Sequence, residues 1–492
     1  MPGAATSSWS RSASSTPQAE AALAEPHDAP LTFIDLPGPV VRVLGTLERA
    51  GHQAALVGGA VRDQLRGGRR SPTDDWDAAT SARPEEVAAL FADATWENRF
   101  GTVTVLASPS VEITSYRTEG GYRDRRRPDD VRFGASLTED LARRDFTINA
   151  IAWVPTDLVA GHGRVVDPHG GARDLAAGLL RTVGDPAARF GEDALRLVRA
   201  ARFAGRFELA VDPPTEVAIR DLAPTVTTVS AERIRNELLR VLADAVPSRA
   251  LRLLERFGLL RLLVPELAAL RGVPQAKAVP GDALDHALAA VDAAPAAEAN
   301  VRLAALLHDV GKAETLADGH FIGHERVGAE LASGVLHRLR VPSAPATEVV
   351  HAIRHHMYAY DEGWTDAAVR RFIRRVGEPG LPLLFALRRA DNAASGVGRS
   401  GEENQADLER RISGELEASP DLLRRNRLAI DGNDLRRELG IESGPRVGHM
   451  LDALMEVVLD DPARNRRATL LELARGLDGE AVTRRTTEDP NG

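Results

Sequence analysis

The chain of 492 residues contains no cysteine. Disulfide bonds, thiolate metal sites and cysteine nucleophiles are therefore excluded, and a cytoplasmic location fits this composition. No apolar run reaches membrane-spanning length, so we expect no transmembrane helix and no membrane partner. The net charge of −9 argues against general binding to nucleic acids. Arginine-dense segments such as 123–127 still allow a local basic channel.

The length and composition fit a soluble protein of three or more domains. Hydrophobic residues make up 43% of the chain and charged residues 27%, which are ordinary values for globular proteins. Residues 1–32 are rich in Ala, Ser and Pro and have no apolar core behind basic residues. They are expected to form a disordered leader rather than a signal peptide.

Two short motifs lie close together near the start of the ordered chain. A strand at Ala54–Val57 leads into Gly58 and Gly59 and then into a helix predicted to begin at Val61. The two glycines have no Cβ and allow the backbone to approach a phosphate. Alternation along a second strand places Asp75 and Asp77 on one face, as hard oxygen ligands for Mg²⁺ bridged to a nucleoside triphosphate. Each motif alone is weak, because most Gly-Gly pairs are simply turns and most Asp-x-Asp pairs are solvated.

In this order and at this separation, the two motifs resemble the nucleotidyltransferase head of the tRNA CCA-adding enzyme and bacterial poly(A) polymerase family. The resemblance implies an α+β protein, in which a small mixed-sheet, polymerase-β-like head is followed by an all-α body. That body includes an HD-type helical domain and a helical tail. It also implies that the Asp75 and Asp77 carboxylates are catalytic.

The segment 140–153, DLARRDFTINAIAW, continues the resemblance. Its arginine pair could clamp triphosphate oxygens through planar bidentate contacts, although such a pair is also common on the wet side of an amphipathic helix. By resemblance, Arg143 and Arg144 face the phosphates together with Arg62. Asp145 accepts a hydrogen bond from the ribose 2′-hydroxyl, and Asn149 supports the site.

Two further features of the head are less specific. Glu112 lies in the strand-like run 111–116, either as a third carboxylate beside the aspartates or as an outward-facing side chain. Residues 118–136 are glycine-rich and charged, as a mobile loop should be. In the resembled family a flexible loop here helps the head switch from C to A, which favours full CCA addition.

A helix predicted at Glu192–Phe203 would place Asp193 and Arg196 on one face, three residues apart. The simpler interpretation is that Asp193 and Arg196 form an ion pair within the helix. Alternatively, the carboxylate accepts from the exocyclic amino group of cytosine or adenine while the guanidinium donates to the ring nitrogen, which selects these bases without a template. The second reading matches the EDxxRxxR motif of the resembled family. The resemblance also implies that Arg199 and Arg202 continue an arginine stripe along the helix toward the phosphate or sugar. Glu232 and Arg233 are expected to be structural neighbours of the site rather than catalytic groups.

Residues 281–395 are predicted to form a separate helical unit that resembles the HD-type phosphohydrolase fold. Its sequence contains histidines and aspartates whose nitrogen and oxygen atoms suit a divalent metal that activates water for attack on a phosphoester. For any single histidine, the common alternative is a buried side chain whose hydrogen bonds are satisfied within the fold. The predicted ligands of this second metal site are His286, His308, Asp309 and Asp391, with His324, Glu325, His355 and His356 as further candidates.

The rest of the chain completes the predicted domain order. Residues 428–473 resemble the family's C-terminal module that touches the tRNA elbow, with Gly444, Pro445, Arg446 and Gly448 as a backbone approach to phosphate. The expected domains are a leader (1–32), the head (33–183), a helical base-recognition neck (184–275), the HD-type domain (276–395), the tRNA-binding tail (396–480) and a disordered end (481–492).

The sequence therefore predicts a CCA tRNA nucleotidyltransferase that uses CTP, ATP and Mg²⁺. The alternatives within the class are a poly(A) polymerase and an enzyme restricted to CC or A addition. A different class is a metal-dependent HD phosphohydrolase whose head only binds nucleotide. In a third alternative, the HD-type unit is a non-catalytic RNA-binding scaffold.

Overall fold

The computed structural model describes residues 33–67, 76–96, 102–120, 130–275, 280–423 and 427–487. The chain divides into two compact units, Met1–Glu119 with Val131–Ala176 and Gly120–Asp130 with Ala177–Gly492. The first contains a mixed sheet and the second is predominantly helical, which confirms the predicted fold class. The predicted leader and Asp75 lie outside the described residues, as do the arginines at 123–127.

The first unit is built on a seven-stranded sheet in the order β3-β4-β5-β2-β1-β8-β9. β2 and β5 pair in parallel, and the other neighbours are antiparallel. β6 and β7 pair with each other separately. The strands are β1 (Ala54–Val57), β2 (Trp76–Thr80), β3 (Ala94–Trp96), β4 (Thr102–Val105), β5 (Val111–Ser115), β6 (Arg117–Gly120), β7 (Asp130–Phe133), β8 (Ala152–Asp157) and β9 (His162–Val166).

Short helices accompany this sheet: α1 (Gly38–Arg49), α2 (Gly59–Leu65), α3 (Pro84–Leu90), α4 (Leu137–Ala142) and α5 (Gly171–Ala176), with a 3-10 turn at Thr147–Asn149. The apolar side of α1 is buried in one cluster with the central strands, through side chains such as Leu44, Leu56 and Trp153. Full burial of each such side chain contributes about 1.5–3 kcal/mol, so this cluster fixes the strands that carry the candidate site.

The second unit contains the parallel strand pair β10 (Leu179–Leu180) and β11 (Ala210–Val211) and is predominantly helical. Its first helices cover the predicted neck, and α13 to α19 cover the HD-type region. The helices are α6 (Pro186–Glu192), α7 (Leu195–Phe207), α8 (Pro213–Leu222), α9 (Ala231–Leu242), α10 (Pro247–Arg256), α11 (Leu259–Leu263), α12 (Pro265–Ala268), α13 (Ala283–Ala293), α14 (Ala299–Leu307), α15 (Lys312–Thr315), α16 (His324–Arg338), α17 (Ser343–His355), α18 (Asp366–Val376), α19 (Leu381–Ala394), α20 (Arg399–Ala418), α21 (Pro420–Leu423), α22 (Gly432–Leu439), α23 (Pro445–Asp460) and α24 (Arg467–Thr487), with 3-10 turns at Ala223–Thr228, Glu378–Gly380 and Pro462–Arg464.

The helices α18 to α24 contribute side chains to one hydrophobic cluster. Arg370 of α18 is buried within it and donates to the carbonyl oxygens of Leu459 and Asp460, at the end of α23, at 2.6 and 2.9 Å. Its Nη1 also contacts both carboxylate oxygens of Glu415 at 3.0 Å. A buried guanidinium with all these acceptors ties α18, α20 and α23 together.

Three predicted boundaries are wrong. α2 starts at Gly59 rather than at Val61. The helix predicted from Glu192 is interrupted at Asp193. α24 continues to Thr487, into the segment expected to be disordered, because no glycine or proline lies between Gly479 and Pro490 to break it.

None of the helices in the described ranges is long and apolar enough to cross a membrane.

Candidate functional site

The turn between β1 and α2 is the part of the first unit around which charged side chains gather. Gly58 has φ 63° and ψ −125°, a backbone conformation that favours glycine, and its N–H donates to the Ile151 carbonyl at 3.1 Å. Gly59 starts α2. The turn therefore needs Gly58 for its shape, and the two residues leave a surface without side chains.

Asp77 and two arginines border this turn. A Cβ on Gly58 would lie 3.0 Å from Arg144 Nη1 and 3.7 Å from Asp77 Oδ2. A Cβ on Gly59 would lie 3.5 Å from Arg62 Nη2 and 3.8 Å from the same Asp77 oxygen. The structure thus brings a carboxylate and two guanidinium groups, predicted from separate motifs, to one glycine turn.

A hydrogen-bond chain joins Arg62 to the segment that follows α4. Arg62 is 5% exposed, and its Nη1 donates to Asn149 Oδ1 at 2.6 Å. Asn149 Nδ2 donates to Asp145 Oδ1 at 3.1 Å, and that oxygen also accepts from the Phe146 N–H at 2.8 Å. Asn149 therefore orients Arg62, and its supporting role in nucleotide binding stays a prediction. These contacts also fix the Asp145 carboxylate, for which the ribose contact stays a prediction.

Asp140 is a site residue that the sequence analysis did not single out. Its carboxylate is fully buried, with Oδ1 2.6 Å from Arg143 Nη2 and Oδ2 3.4 Å from Arg144 Nη2. One carboxylate thus holds both predicted phosphate ligands. The available signal was its position three and four residues before the arginines, the spacing at which side chains meet at a helix end.

Glu112 is the strand partner of Asp77. The two residues are paired in the parallel register of β2 and β5, so their side chains leave the same face of the sheet from strands about 4.8 Å apart. The Glu112 side chain is exposed. The register places Glu112 beside Asp77, whereas its exposure also fits an outward-facing side chain, so the metal role of Glu112 stays a prediction.

Asp193 does not lie on a helix face. It occupies the link between α6 and α7 with an extended backbone, φ −148° and ψ 105°. Its Oδ1 accepts from the Leu195 N–H at 3.1 Å, a local side-chain bond that competes with helix formation. Arg196 Nη1 instead contacts Glu192 Oε2 at 2.5 Å and the Arg189 carbonyl oxygen at 2.9 Å. The predicted shared helix face of Asp193 and Arg196 is therefore wrong, although both side chains stay at the same end of α7.

The rest of the predicted arginine stripe contacts Glu237 of α9. Arg202 is 6% exposed and its Nε lies 2.8 Å from Glu237 Oε2, while Arg199 Nη1 lies 3.6 Å from Oε1. Burial opposes ionisation of Glu237, but Arg202, Arg199 and Arg240 together lower its pKa below the ordinary value. Arg202 thus forms a buried ion pair within the second unit, and its contact with phosphate or sugar stays a prediction.

The HD-type region brings its predicted metal ligands into one buried cluster. His286 Nε2 lies 3.3 Å from His308 Nε2, 3.6 Å from Asp309 Oδ2 and 3.1 Å from Asp391 Oδ1. Two ligands about 2.1 Å from one metal are separated by about 3.0 Å at a right angle and about 3.4 Å in a tetrahedron. His286, His308 and Asp309 are therefore close enough to share a single divalent ion, and Asp391 lies beside His286, with its Oδ1 3.9 Å from His308 Nε2.

Two of the additional candidates form a second group around the same carboxylate. Asp309 Oδ1 lies 3.4 Å from His324 Nε2 and 3.8 Å from His356 Nε2. Asp309, His324 and His356, like His286, His308 and Asp309, are close enough to hold a metal ion. Asp309 therefore offers one oxygen to each histidine pair.

Backbone contacts orient the histidines of this cluster. Nδ1 of His308, His324 and His356 lies 2.7–2.8 Å from the carbonyl oxygen three residues earlier, which leaves Nε2 for the cluster. Burial, followed by the nearby His308, lowers the pKa of His356 to about 3. Burial opposes ionisation of Asp309, but His308, His324 and Lys312 hold its pKa well below the usual range. Neutral imidazole and ionised carboxylate are the forms that bind metals.

The predicted phosphate approach in the tail lies at the start of α23. Gly444 is its N-cap and Pro445 its first residue. A Cβ on Gly444 or on Gly448 would meet no atom within 4 Å, so this backbone is open. Contact with tRNA here stays a prediction.

Comparisons with known proteins agree with this arrangement of sheet unit and helical unit. Residues 54–181 match the model of the poly A polymerase head domain, residues 208–270 that of the probable RNA and SrmB-binding site of polymerase A, and residues 282–395 that of the HD domain. The chain is thus a nucleotidyltransferase-type protein with an HD domain.

Individual relatives narrow this class. The A-adding tRNA nucleotidyltransferase of Deinococcus radiodurans is 37% identical over 428 residues, 82% of this chain and 91% of that enzyme. The CCA-adding enzyme of Lactobacillus helveticus is 49% identical over 201 residues, 40% of this chain, so that match spans about half of the relative, 48% of its length. The crystal structure of Bacillus stearothermophilus CCA-adding enzyme in complex with CTP shares 28% identity with a TM-score of 0.66, over 90% of this chain and all of that one. The chain belongs to the tRNA nucleotidyltransferase family that includes the CCA-adding enzymes.

Proposed function

We propose that this protein adds C, C and A to the 3′ end of tRNA from CTP and ATP, without a nucleic-acid template. The observation that carries the proposal is the convergence of Asp77, Arg62 and Arg144 on the Gly58–Gly59 turn. A carboxylate beside two guanidinium groups and an open backbone suits a triphosphate together with its metal counter-ion. Membership of the tRNA nucleotidyltransferase family supports tRNA as the acceptor.

Mg²⁺ is the cofactor that fits the carboxylates of this site. Asp77, with Asp75 before it in sequence and Glu112 in register on β5, supplies the hard oxygen donors that Mg²⁺ prefers. When bound, the ion would favour attack of the RNA 3′-hydroxyl on the α-phosphorus and stabilise the leaving pyrophosphate.

The side chains of the protein bind and orient the nucleotide. Arg62 and Arg144 hold the triphosphate oxygens, each pre-oriented by a contact with Asn149. Asp193 accepts from the exocyclic amino group of cytosine or adenine, and Arg196 donates to the adjacent ring nitrogen. Uracil and guanine present a different pattern of hydrogen-bond donors and acceptors on the Watson–Crick edge, so Asp193 and Arg196 do not bind them in this way.

The Asp77→Ala variant of the full chain tests this proposal. The variant should fail to extend a tRNA that ends before CCA, whereas wild type extends it with CTP and ATP. Glu85→Ala, which removes an exposed carboxylate of α3, is the matched control and should retain activity. Normal extension by Asp77→Ala would refute the assignment of the head.

The same assay separates full CCA addition from its near alternatives. With CTP alone, a CCA-adding enzyme should stop after two residues, and with both nucleotides it should add three and then stop. An enzyme restricted to A addition would extend only tRNA ending in CC. A poly(A) polymerase would continue to add A beyond the third position.

Phosphoester hydrolysis in the HD domain is a second candidate function, because the histidine–aspartate cluster fits divalent metal ions. His286, His308, Asp309 and Asp391 would hold the ion, which would supply an activated water. The discriminating variant is Asp309→Asn, which should abolish metal-dependent phosphatase activity and leave tRNA extension unchanged. If wild type binds no metal there and hydrolyses no phosphoester, the domain is a scaffold.

A further inference from the structure

The carboxylate of Asp193 is bound by a residue forty positions later in the chain. Arg233 of α9 places Nη1 3.1 Å from Asp193 Oδ1 and Nη2 2.7 Å from Oδ2. This is the parallel two-point contact in which a guanidinium recognises a carboxylate most specifically. The Asp193 side chain is 18% exposed and the Arg233 side chain 29%, so the ion pair is partly shielded from water.

This contact leaves Asp193 few free acceptor positions. Oδ1 accepts from Arg233 and from the Leu195 N–H, while Oδ2 accepts from Arg233 at 2.7 Å. Each carboxylate oxygen accepts about two hydrogen bonds, so Oδ2 keeps one acceptor direction in the described structure. Both the plane of the carboxylate and its open side are therefore fixed.

Arg196 is held by different residues. Its Nη1 contacts Glu192 Oε2 and the Arg189 carbonyl oxygen, and Glu192 Oε2 is also 3.0 Å from Arg189 Nη1. The two proposed base readers thus have separate supports. Loss of Arg233 should free Asp193 without releasing Arg196.

We propose that Arg233 is a positioning residue that sets base specificity by orienting Asp193. This inference rests on the proposed function. With Arg233 in place, the remaining acceptor direction of Asp193 Oδ2 receives the exocyclic amino group of cytosine or adenine. Without Arg233, the carboxylate keeps only the Leu195 N–H contact, and it can turn about that contact to accept from the N3–H of uracil as well. Arg233 therefore acts on the choice of base through Asp193, without touching the reacting atoms.

The test measures kcat and KM for CTP and UTP separately on a tRNA ending before CCA. Arg233→Met should raise the KM for CTP and lower the CTP-to-UTP ratio of kcat/KM by about tenfold, the effect of weakening one charge-assisted hydrogen bond. The kcat with saturating CTP should change little. Arg233→Lys, which keeps the charge but loses the two-point contact, should recover only part of the ratio.

Arg220→Met on α8 is the matched control, because it removes an arginine that pairs with Glu216 on the surface of the same unit. It should leave both KM values and the base ratio at wild-type levels. An equal fall in kcat for CTP and UTP with Arg233→Met, at unchanged ratio, would mean that Arg233 only stabilises the fold. Thermal melting of both Arg233→Met and Arg233→Lys checks that the comparison concerns folded protein.

Asp193→Ala separates this inference from the proposed function. If Asp193→Ala relaxes the choice of base and Arg233→Met does not, the inference about Arg233 is wrong and the base reader stands. If Asp193→Ala incorporates CTP with unchanged selectivity over UTP, the base-reader assignment itself fails, and the role of Arg233 fails with it.

Discussion

Replacement of Gly58 by alanine tests the glycine turn most directly. The residue has φ 63°, and its missing Cβ would lie 3.0 Å from Arg144 Nη1. A methyl group there strains the backbone and also pushes the arginine away from the turn. The guanidinium is the end of a flexible side chain and can move by a few tenths of an ångström, whereas the backbone strain cannot be relieved without reshaping the turn.

The two effects have different sizes and different readouts. The strained conformation should cost about 1–3 kcal/mol of stability. Displacement of Arg144 weakens its contact with a triphosphate, and a hydrogen bond between charged groups contributes about 1.5–3 kcal/mol. We therefore expect kcat/KM for CTP incorporation to fall by about ten- to a hundredfold.

Two neighbouring glycines supply the controls. Gly67 also has positive φ, 73°, but a Cβ there meets no atom within 4 Å, so Gly67→Ala should lower the melting temperature and preserve kcat/KM. Gly59→Ala makes only ordinary contacts, at 3.5 and 3.8 Å, and should stay folded while its methyl group hinders the triphosphate. If Gly58→Ala and Gly67→Ala lose the same stability and both keep full activity, the turn does not bind nucleotide.

Three further outcomes are expected. Arg302→Met should lower the free energy of unfolding by about 3 kcal/mol, because buried Arg302 donates to the carbonyl oxygens of Ala294, Leu242 and Asp244. The urea midpoint should fall accordingly, whereas the control Arg326→Met, at an exposed arginine, should leave it unchanged. Because folding lowers the pKa of Glu237, its ionised carboxylate stabilises the fold above the ordinary pKa of 4.5, and this stabilisation is lost as the pH falls through the lower pKa of the folded state. The difference in unfolding free energy between wild type and Glu237→Gln, measured by chemical denaturation, should therefore shrink on acidification. A difference that stays constant with pH would contradict this. In a protein that already carries Asp77→Ala, so that the head site is removed, Asp309→Asn should lower the amount of divalent metal bound per chain in elemental analysis. His337→Asn, at an exposed histidine, is the control and should leave the metal content unchanged.

Local patterns were sufficient to predict the elements around the head site. β1 has the predicted bounds, and Asp77 lies on a strand as expected. Strand alternation, a glycine pair and an arginine pair are properties of a few neighbouring residues, so the sequence displays them directly. The convergence of Arg62, Asp77 and Arg144 on one turn came from the family resemblance, because no local rule brings residues 62, 77 and 144 together.

The helix break at Asp193 shows where local patterns fail. Leu195 and Val198 lie three residues apart, as one face of a helix requires, and both are buried in α7. Asp193 fits the same helical spacing, but its carboxylate bonds to the Leu195 N–H and to Arg233. Two competing contacts, one of them from forty residues away, therefore override a helical preference that amounts to a few tenths of a kcal/mol.

The charge balance of the HD cluster follows from a residue outside its ligand set. Asp309 is 1% exposed, and an isolated ionised carboxylate at such a site would be very costly. Lys312 compensates it, with Nζ 2.6 Å from Asp309 Oδ2 and 2.7 Å from Gln275 Oε1. The same oxygen faces His286 and His308, so an ion bound by that pair must share it with the ammonium group. Oδ1 faces only the other histidine pair among its described contacts, at 3.4 and 3.8 Å. An ion bound there would therefore meet less repulsion from Lys312, because Lys312 contacts the opposite carboxylate oxygen.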